Sequence, residues 1–392
     1  MSERGCQPMM GEADPQRALF YNISLETFVP ADHPLRRIRP LIDDRAIRHA
    51  CRDLYAPIGR PSIPPEQLLL ALVGGYLLSI PSERRLVMEL QCNMALRWFV
   101  GLNLDQDAWD ASTFSQNRRR RFDESGLLER LFDDTVRRAM AAGLVSRHVS
   151  ADGTLVRANA SYKSFVPLEV ALEPEEYKRR LRAEDRETDE PSDPGNRAIN
   201  FRGERRSNAT HRSLSDPDCR YVSKGSSGTG AYPGYTVNAL MENRHRLLLG
   251  LGVEVFQGVT SEKQGCLALL DRARQRLRFR PATLGADKGF FHQDFIEAVL
   301  TRGIEPHIAI ERRGSALAHA RVRMRRRGAG YQLSQRCRKL IEELFGEAKD
   351  WHGLRRFRRR GRWRVQQEAY LIGWVLNLKR LANSWAPIVQ AT

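Results

Sequence analysis

The apolar positions of this chain change period once, near residue 148, and the change separates a helical first part from a mixed second part. Up to about residue 145 they recur at helical spacing. Pro64-Pro65-Glu66-Gln67 starts a helix whose apolar positions Leu68, Leu69, Leu72, Val73, Tyr76 and Leu77 fall on one stripe. Ile80-Pro81 breaks it, and Ser82 caps a second helix, expected from Glu83 to about Val100 with Leu86, Leu90, Leu96 and Phe99 inward. Asp110-Ala111-Ser112-Thr113 caps a third, which carries Arg118 to Arg121. Short capped helices ending in an arginine-rich member suit helix-turn-helix packing, which presents one helix to a DNA groove. They suit plain helix packing equally well.

Beyond His148 the period becomes two. Val149 to Val156 and Tyr235 to Met241 alternate as strands, and Leu247 to Phe256 reads as a largely buried one. Glu262 to Leu277 predicts a helix, Ala282 to Ala286 a strand, His292 to Arg302 a helix and Ile304 to Ile310 a strand, with helices again from about Leu333. The order β, β, β, α, β, α, β, α implies a mixed sheet with helices on its faces. Between the first two strands, Glu173 to Gly230 is rich in Arg, Glu, Asp, Ser, Pro and Gly. It reads as an inserted or mobile loop, not a domain with its own core. The domains expected are 1–145, helical, and 146–392, α/β with an insertion at about 173–230.

Charge narrows the partner. The 392 residues carry 64 Lys+Arg against 47 Asp+Glu, a formal net charge of +17, which favours a polyanion. Arginine supplies the local density: Arg118 to Arg121, five between Arg321 and Arg327, and seven between Arg355 and Arg364. The guanidinium fork matches phosphate oxygens, so double-stranded DNA fits better than a membrane. The longest apolar run, Leu68 to Ile80, is shorter than the ~18–20 residues of a membrane span. Met1 to Gln7 has no apolar signal core. Cys6, Cys51, Cys92, Cys219, Cys266 and Cys337 form no short-spaced pair, so neither a zinc site nor a disulfide framework is indicated and a reducing cytosol fits.

Against this basic background, three segments each place a carboxylate where metal-assisted phosphoryl transfer needs one. Asp152 stands in Ala151-Asp152-Gly153-Thr154 and Asp287 in Ala286-Asp287-Lys288-Gly289, both at or near strands that a βαβ-containing sheet makes neighbours. The third lies on a helix. At about 100° per residue, Leu340, Ile341, Leu344, Phe345 and Ala348 form one apolar arc. Arg338, Glu342 and Lys349 fall within about 40° of one another on its flank, while Glu343 and Glu347 point toward solvent. Each acid alone has an ordinary reading, as a turn residue, a strand end or an i,i+4 surface pair. Together, three hard oxygen donors suit two Mg²⁺ ions, with Mn²⁺ able to substitute. Two such ions can activate a water or a 3′-hydroxyl and stabilise the leaving oxygen. Arg338 and Lys349 would then neutralise phosphate charge beside them. No HExxH, Walker A or GxGxxG spacing offers a competing chemistry.

These residues resemble the DDE transposases of bacterial insertion sequences, specifically insertion sequence family five and its near relatives, over most of the chain. Phe20-Tyr21, Gly59-Arg60-Pro61, Ser112-Thr113-Phe114 and Arg121-Phe122 look like that family's helical DNA-binding domain. Asp152-Gly153-Thr154 looks like its first acidic motif and Ala286-Asp287-Lys288-Gly289 its second. Arg338-x3-Glu342-x6-Lys349 looks like its third and is the most specific signal. A tyrosine usually precedes that arginine by three positions. Gln335 stands there instead, so the tyrosine's role is lost or taken over.

The resemblance implies a ribonuclease H-like mixed-sheet catalytic core behind an all-helical DNA-binding domain. Asp152, Asp287 and Glu342 would be catalytic and metal-binding. It implies cleavage at element ends, strand transfer by the freed 3′-hydroxyl, terminal inverted repeats and target DNA as substrates, and a homodimer or higher synaptic assembly. A cytoplasmic, nucleoid-associated location follows. Lys288, Arg338, Lys349, Arg118, Arg119, Arg120, Arg121, Arg355, Arg356 and Arg358 are the candidate phosphate-neutralising or DNA-binding residues. Two other readings stay open: a DNA-binding protein without catalysis, and a metal-dependent nuclease that cuts without joining.

Overall fold

The computed structural model describes residues 22–56, 58, 62–168, 200–201, 204–223, 230–309 and 328–389. The Arg321 to Arg327 cluster, Phe20-Tyr21, Gly59-Arg60-Pro61 and the part of the insertion at 173–199 lie outside them.

The first helix predicted is α1 (Pro65–Leu77), but it carries no stripe: every residue from Leu68 to Tyr76 is buried. It is a central helix wrapped on all sides rather than an amphipathic one. The second predicted helix is two, α2 (Glu83–Cys92) and α3 (Met94–Val100). Asn93 adopts an extended conformation and its side chain accepts from Leu96 N–H, so one residue ends α2 and caps α3. Asp110 caps α4 (Ala111–Asn117) as expected, and the arginine run Arg118–Phe122 widens into a π-turn before α5 (Leu127–Ala141).

The sheet begins at β1 (His148–Arg157). Its other strands are β2 (Arg220–Val222), β3 (Tyr232–Glu242), β4 (Leu248–Glu254), β5 (Thr283–Ala286) and β6 (Glu305–Ile308). The long strands run β4-β3-β1-β5-β6, the first three antiparallel and the last two parallel to β1. That order, with helices on both faces, is the ribonuclease H-like arrangement. β2 pairs with the start of β3 and lies inside the stretch expected to be an insertion. Its Tyr221 and Val222 are buried and Tyr221 stacks on Phe165 with ring centroids 4.1 Å apart, so residues 204–223 are in part an edge of the core rather than a free loop.

Helix α6 (Val259–Arg276) covers one face of β3 and β4, and α7 (Gln293–Thr301) leads into β6. Helix α8 (Ala329–Trp351) packs on β1 and β5 from the other face, and α9 (Arg362–Val389) lies on β4 and reaches back to α5 and α1. One contiguous apolar core therefore crosses residue 145: Phe132 of the helical part, Leu251 of β4 and Leu371 of α9 belong to it together. Burial of this shared surface is the main force holding the helical part to the sheet. Among the described residues no helix is long and apolar enough to cross a membrane.

Candidate active site

β1 and β5 pair through only three positions, ending at Ser150 opposite Gly285. Beyond that point β5 runs out and β1 continues alone on that flank, still paired with β3 on the other. Asp152 sits in the opening. Side chains alternate along a strand, so Ser150, Asp152 and Thr154 share the face toward α8 while Gly153 faces α6. Gly285 confirms the first assignment, since a Cβ there would meet Ser334 and Ser150 side chains at 2.9 and 3.1 Å. The turn after β5 delivers Asp287, whose Oδ1 accepts the Gly289 N–H at 2.8 Å and so holds the loop carrying exposed Lys288.

Burial pushes the Asp152 carboxyl up to about 6, partly countered by the Gly153 N–H bonded to it at 2.8 Å. The negative charges of Asp287, Glu262 and Glu342 push it further in the same direction. The three sequence-predicted acids thus act on one spot electrostatically, with a fourth, Glu262, that no motif marked. They are not gathered into a ligand sphere: among the described residues no three His, Cys, Asp or Glu side chains stand close enough to hold a metal ion. Glu342 is exposed and turned to Arg338, whose Nη1 donates to it at 3.0 Å. The donor chemistry nonetheless fits a hard divalent cation, for the groups are carboxylates and a neighbouring positive charge would offset the burial and the like charges that raise the Asp152 carboxyl.

The two bases of the third motif diverge. Arg338 is largely buried and pairs with Glu342, whereas Lys349 donates to Thr154 Oγ1 at 2.5 Å, fastening α8 beside Asp152. Gln335, in the tyrosine's place, donates to the main-chain carbonyls of Ala286 and His307 at the ends of β5 and β6. It positions the helix against the strand that delivers Asp287. The Glu242-Asn243-Arg244 turn has a structural use: buried Glu242 accepts N–H bonds from Ser146, Arg244, His245 and Leu247. The α8 face assigned from spacing needs one correction. Glu347 does not point to solvent but meets Lys379 and Arg380 of α9.

The predicted arginines separate into two kinds. Arg118 is mostly buried and bound to Glu83 and Asp123, and Arg121 stacks on Tyr55 with its guanidinium 4.0 Å from the ring centroid. Arg119 and Arg120 are exposed. Arg355 and Arg356 are exposed too, Arg355 pairing with Asp350, while Arg358 stacks on Tyr76 at 4.4 Å and donates to Ile80 O at 2.8 Å. Arg118, Lys349, Arg355, Arg356 and Arg358, with exposed Trp351, line one open groove of about 590 Å³ between the helical part and the sheet.

Two family models match the chain. One, described as a transposase domain, matches residues 23–120, and the other, described as a transposase DDE domain, matches residues 146–378. Among solved structures the chain is similar to that titled "Crystal structure of a pre-cleavage Mos1 transpososome", at 10% identity and TM-score 0.20 over 86% of this chain and 81% of that one. It is similar also to the "Mos1 mariner paired end complex with Mn", at 11% identity and TM-score 0.18 over 76% and 83%. TM-scores this low carry no argument. No curated protein matches.

Proposed function

The chain belongs to the transposases with a DDE domain, and we propose that it binds the terminal inverted repeats of an insertion sequence, cleaves at the element ends and joins the freed 3′-hydroxyls to target DNA. Asp152, Asp287 and Glu342 hold two Mg²⁺ ions in this reading, for which Mn²⁺ can substitute. When bound, such ions activate the attacking oxygen and stabilise the leaving one. The chain's own residues do the rest. The Gly153 N–H fixes one Asp152 oxygen. Lys349 holds Thr154 and so the α8–β1 spacing, and Gln335 holds α8 to the strand ends. Arg355 and Arg356 lead duplex phosphates along the groove toward the acids, and Lys288 meets them on the far side. A homodimer or higher synaptic assembly brings two ends together.

The observation that carries this reading is the match of residues 146–378 to a transposase DDE domain, with Asp152 at the open flank of β1 near enough to Asp287 and Glu342 to feel both charges. A strand-transfer assay with labelled element ends tests it. Joined product with wild type and none with Asp152→Asn supports it. Cut but unjoined ends would make the protein a nuclease, and binding without cutting would make it a DNA-binding protein only.

A further inference from the structure

Helix α4 and the π-turn that continues it, residues 111–122, have one face tied into the fold and another that is free. On the tied face Phe114 and Phe122 are buried, and Trp109 stacks on Phe114. Ser115 and Arg118 both bond to Glu83 of α2, and Arg121 donates to Ser62 Oγ at 3.1 Å while stacked on Tyr55. Asn117 donates to Thr113 O at 2.8 Å and accepts from Arg121, which stiffens the run internally. The other face carries Thr113, Gln116, Arg119 and Arg120. All four are exposed, and among the described residues their side chains have no hydrogen bond, ion pair or ring contact. Residues 111–122 contain no acid, so this face is complementary in charge to phosphate. The Asp123 N–H bonds to Arg118 O at 3.0 Å, five residues back. That wider turn brings the four-residue step from Gln116 to Arg120 closer to one full turn, and turns of this kind are frequent at functional sites.

We propose that Thr113, Gln116 and Arg120 read base edges in the major groove of duplex DNA, while Arg119 holds a phosphate beside them. The groove admits an α-helix, and the three side chains carry the groups its edges require. The glutamine amide matches adenine N6 and N7, the guanidinium fork matches guanine O6 and N7, and the threonine methyl fits the thymine methyl. Thr113 to Arg120 spans about 10 Å of helix, or about three base-pair steps of 3.4 Å. A rigid helix with its reading groups unengaged is prepared for such contacts, because little conformational freedom is lost on binding. The face is also continuous with the groove described above: Arg118, on the tied side of the same run, lines it together with Lys349 and Arg355. The inference rests on the terminal-repeat binding proposed above and names the side chains that give it sequence preference.

Selection by the full-length protein from a pool of duplexes with a randomised central stretch tests it, repeated with each variant. Wild type should return a motif with an adenine and a guanine position within about four base pairs of each other. Gln116→Ala should relax the adenine position and weaken binding to the wild-type motif by about 10–100-fold, the scale of one bidentate base contact, with binding to a scrambled duplex unchanged. Alanine is the better helix former at this exposed position, so the variant keeps its fold. Arg120→Lys keeps the charge and loses the fork, and should relax the guanine position alone. Arg119→Gln should weaken motif and scrambled duplexes alike and still return the wild-type motif. If Gln116→Ala and Arg120→Lys both return the wild-type motif at full strictness, or lose both duplexes equally, the α4 face does not read sequence and the proposal falls while terminal-repeat binding stands. If wild type itself returns no motif, terminal-repeat binding falls with it.

Discussion

Glu342 and Glu347 lie on the same helix, α8, and are held in opposite ways. Glu342 is 59% exposed and, among the described residues, has one ion-pair partner, Arg338, one turn before it. An exposed i,i+4 pair of this kind contributes about 0.3–0.5 kcal/mol, so little holds the carboxylate where it is. Glu347 is 19% exposed and bound to Lys379 and Arg380 of α9, with His352 Nε2 at 3.6 Å. The first carboxylate can turn to a cation at small cost. The second is a rivet between two helices, and taking it out would strand its cationic partners. One helix thus carries a loosely held acid at the site and a locked acid at the core, which explains how α8 can serve chemistry without loosening the fold.

The comparison breaks most sharply by removing each charge in turn. Glu342→Gln should reduce metal-dependent DNA cleavage by about 100-fold or more, the scale of losing one group that stabilises reacting charge, with the melting temperature little changed. Glu343→Gln should keep activity, because among the described residues Glu343 pairs only with Arg246 at the surface. Equal loss in the two variants would undo the assignment of Glu342 to the site.

The same contrast between locked and loose runs through the arginines. Arg359 is buried, its guanidinium bonded to Asp123 and its N–H to Glu368, whose carboxylate also accepts from Tyr76 at 2.7 Å. This network joins α9 to the helical part. Arg359→Met should destabilise the protein by about 3 kcal/mol in chemical denaturation, the low end for breaking a buried pair, because Arg118 remains 3.4 Å from Asp123. A change under about 0.5 kcal/mol, the scale of an ordinary surface substitution, would mean the network adds nothing to the docking.

Glu347 gives the pH test. Burial pushes its carboxyl up, but hydrogen bonds from His352 and Lys379 and the charge of Arg380 outweigh that and hold it well below the usual 4.5. A carboxyl lowered by folding stabilises the native state above its unfolded value and loses that contribution as pH falls below it. The melting temperature of wild type should therefore drop as pH is lowered through and below about 4.5, and Glu347→Gln should show a shallower drop from a lower starting point, by about 1–3 kcal/mol at neutral pH. Parallel curves for the two proteins would remove Glu347 from the acid response.

Much of this was legible in the sequence, and the parts that were not share a cause. β1 and β3 follow from alternating runs and β4 from a largely apolar one, and β5 and β6 lie where strands were expected, while Asp152, Asp287 and Glu342 stood out through motifs with local spacing. The α8 wheel paired Arg338 with Glu342 as the structure does, yet it set Glu342 apart from Glu343 although both are exposed, and it sent Glu347 to solvent because a wheel shows one helix and not the α9 cations docked on its second side. β2 hid in a charged stretch because three residues are too short to set a period. Glu262, whose charge also reaches Asp152, was invisible because its neighbour in space, Gly153, lies more than a hundred positions away. Arg118 and Arg358 looked like phosphate ligands in their clusters, and only tertiary partners show both tied into the fold while still lining the groove.

The smallest effect separates the loose arginines from the tied ones most cleanly. Each phosphate neutralised contributes about −0.9 to the slope of log K against log salt. Arg355 and Arg356 are exposed on the groove, and the only ion pair made by either is Arg355 with Asp350, itself exposed, among the described residues. Changing both to glutamine should flatten the slope for any duplex by up to about 1.8 and leave the melting temperature near that of wild type. Arg358→Gln should do the reverse, lowering stability through its lost stack on Tyr76 and its bond to Ile80 O, with less change in slope. If the double variant keeps the wild-type slope, the groove does not carry DNA, and the path to the acids must run over Arg119, Arg120 and Lys288 instead.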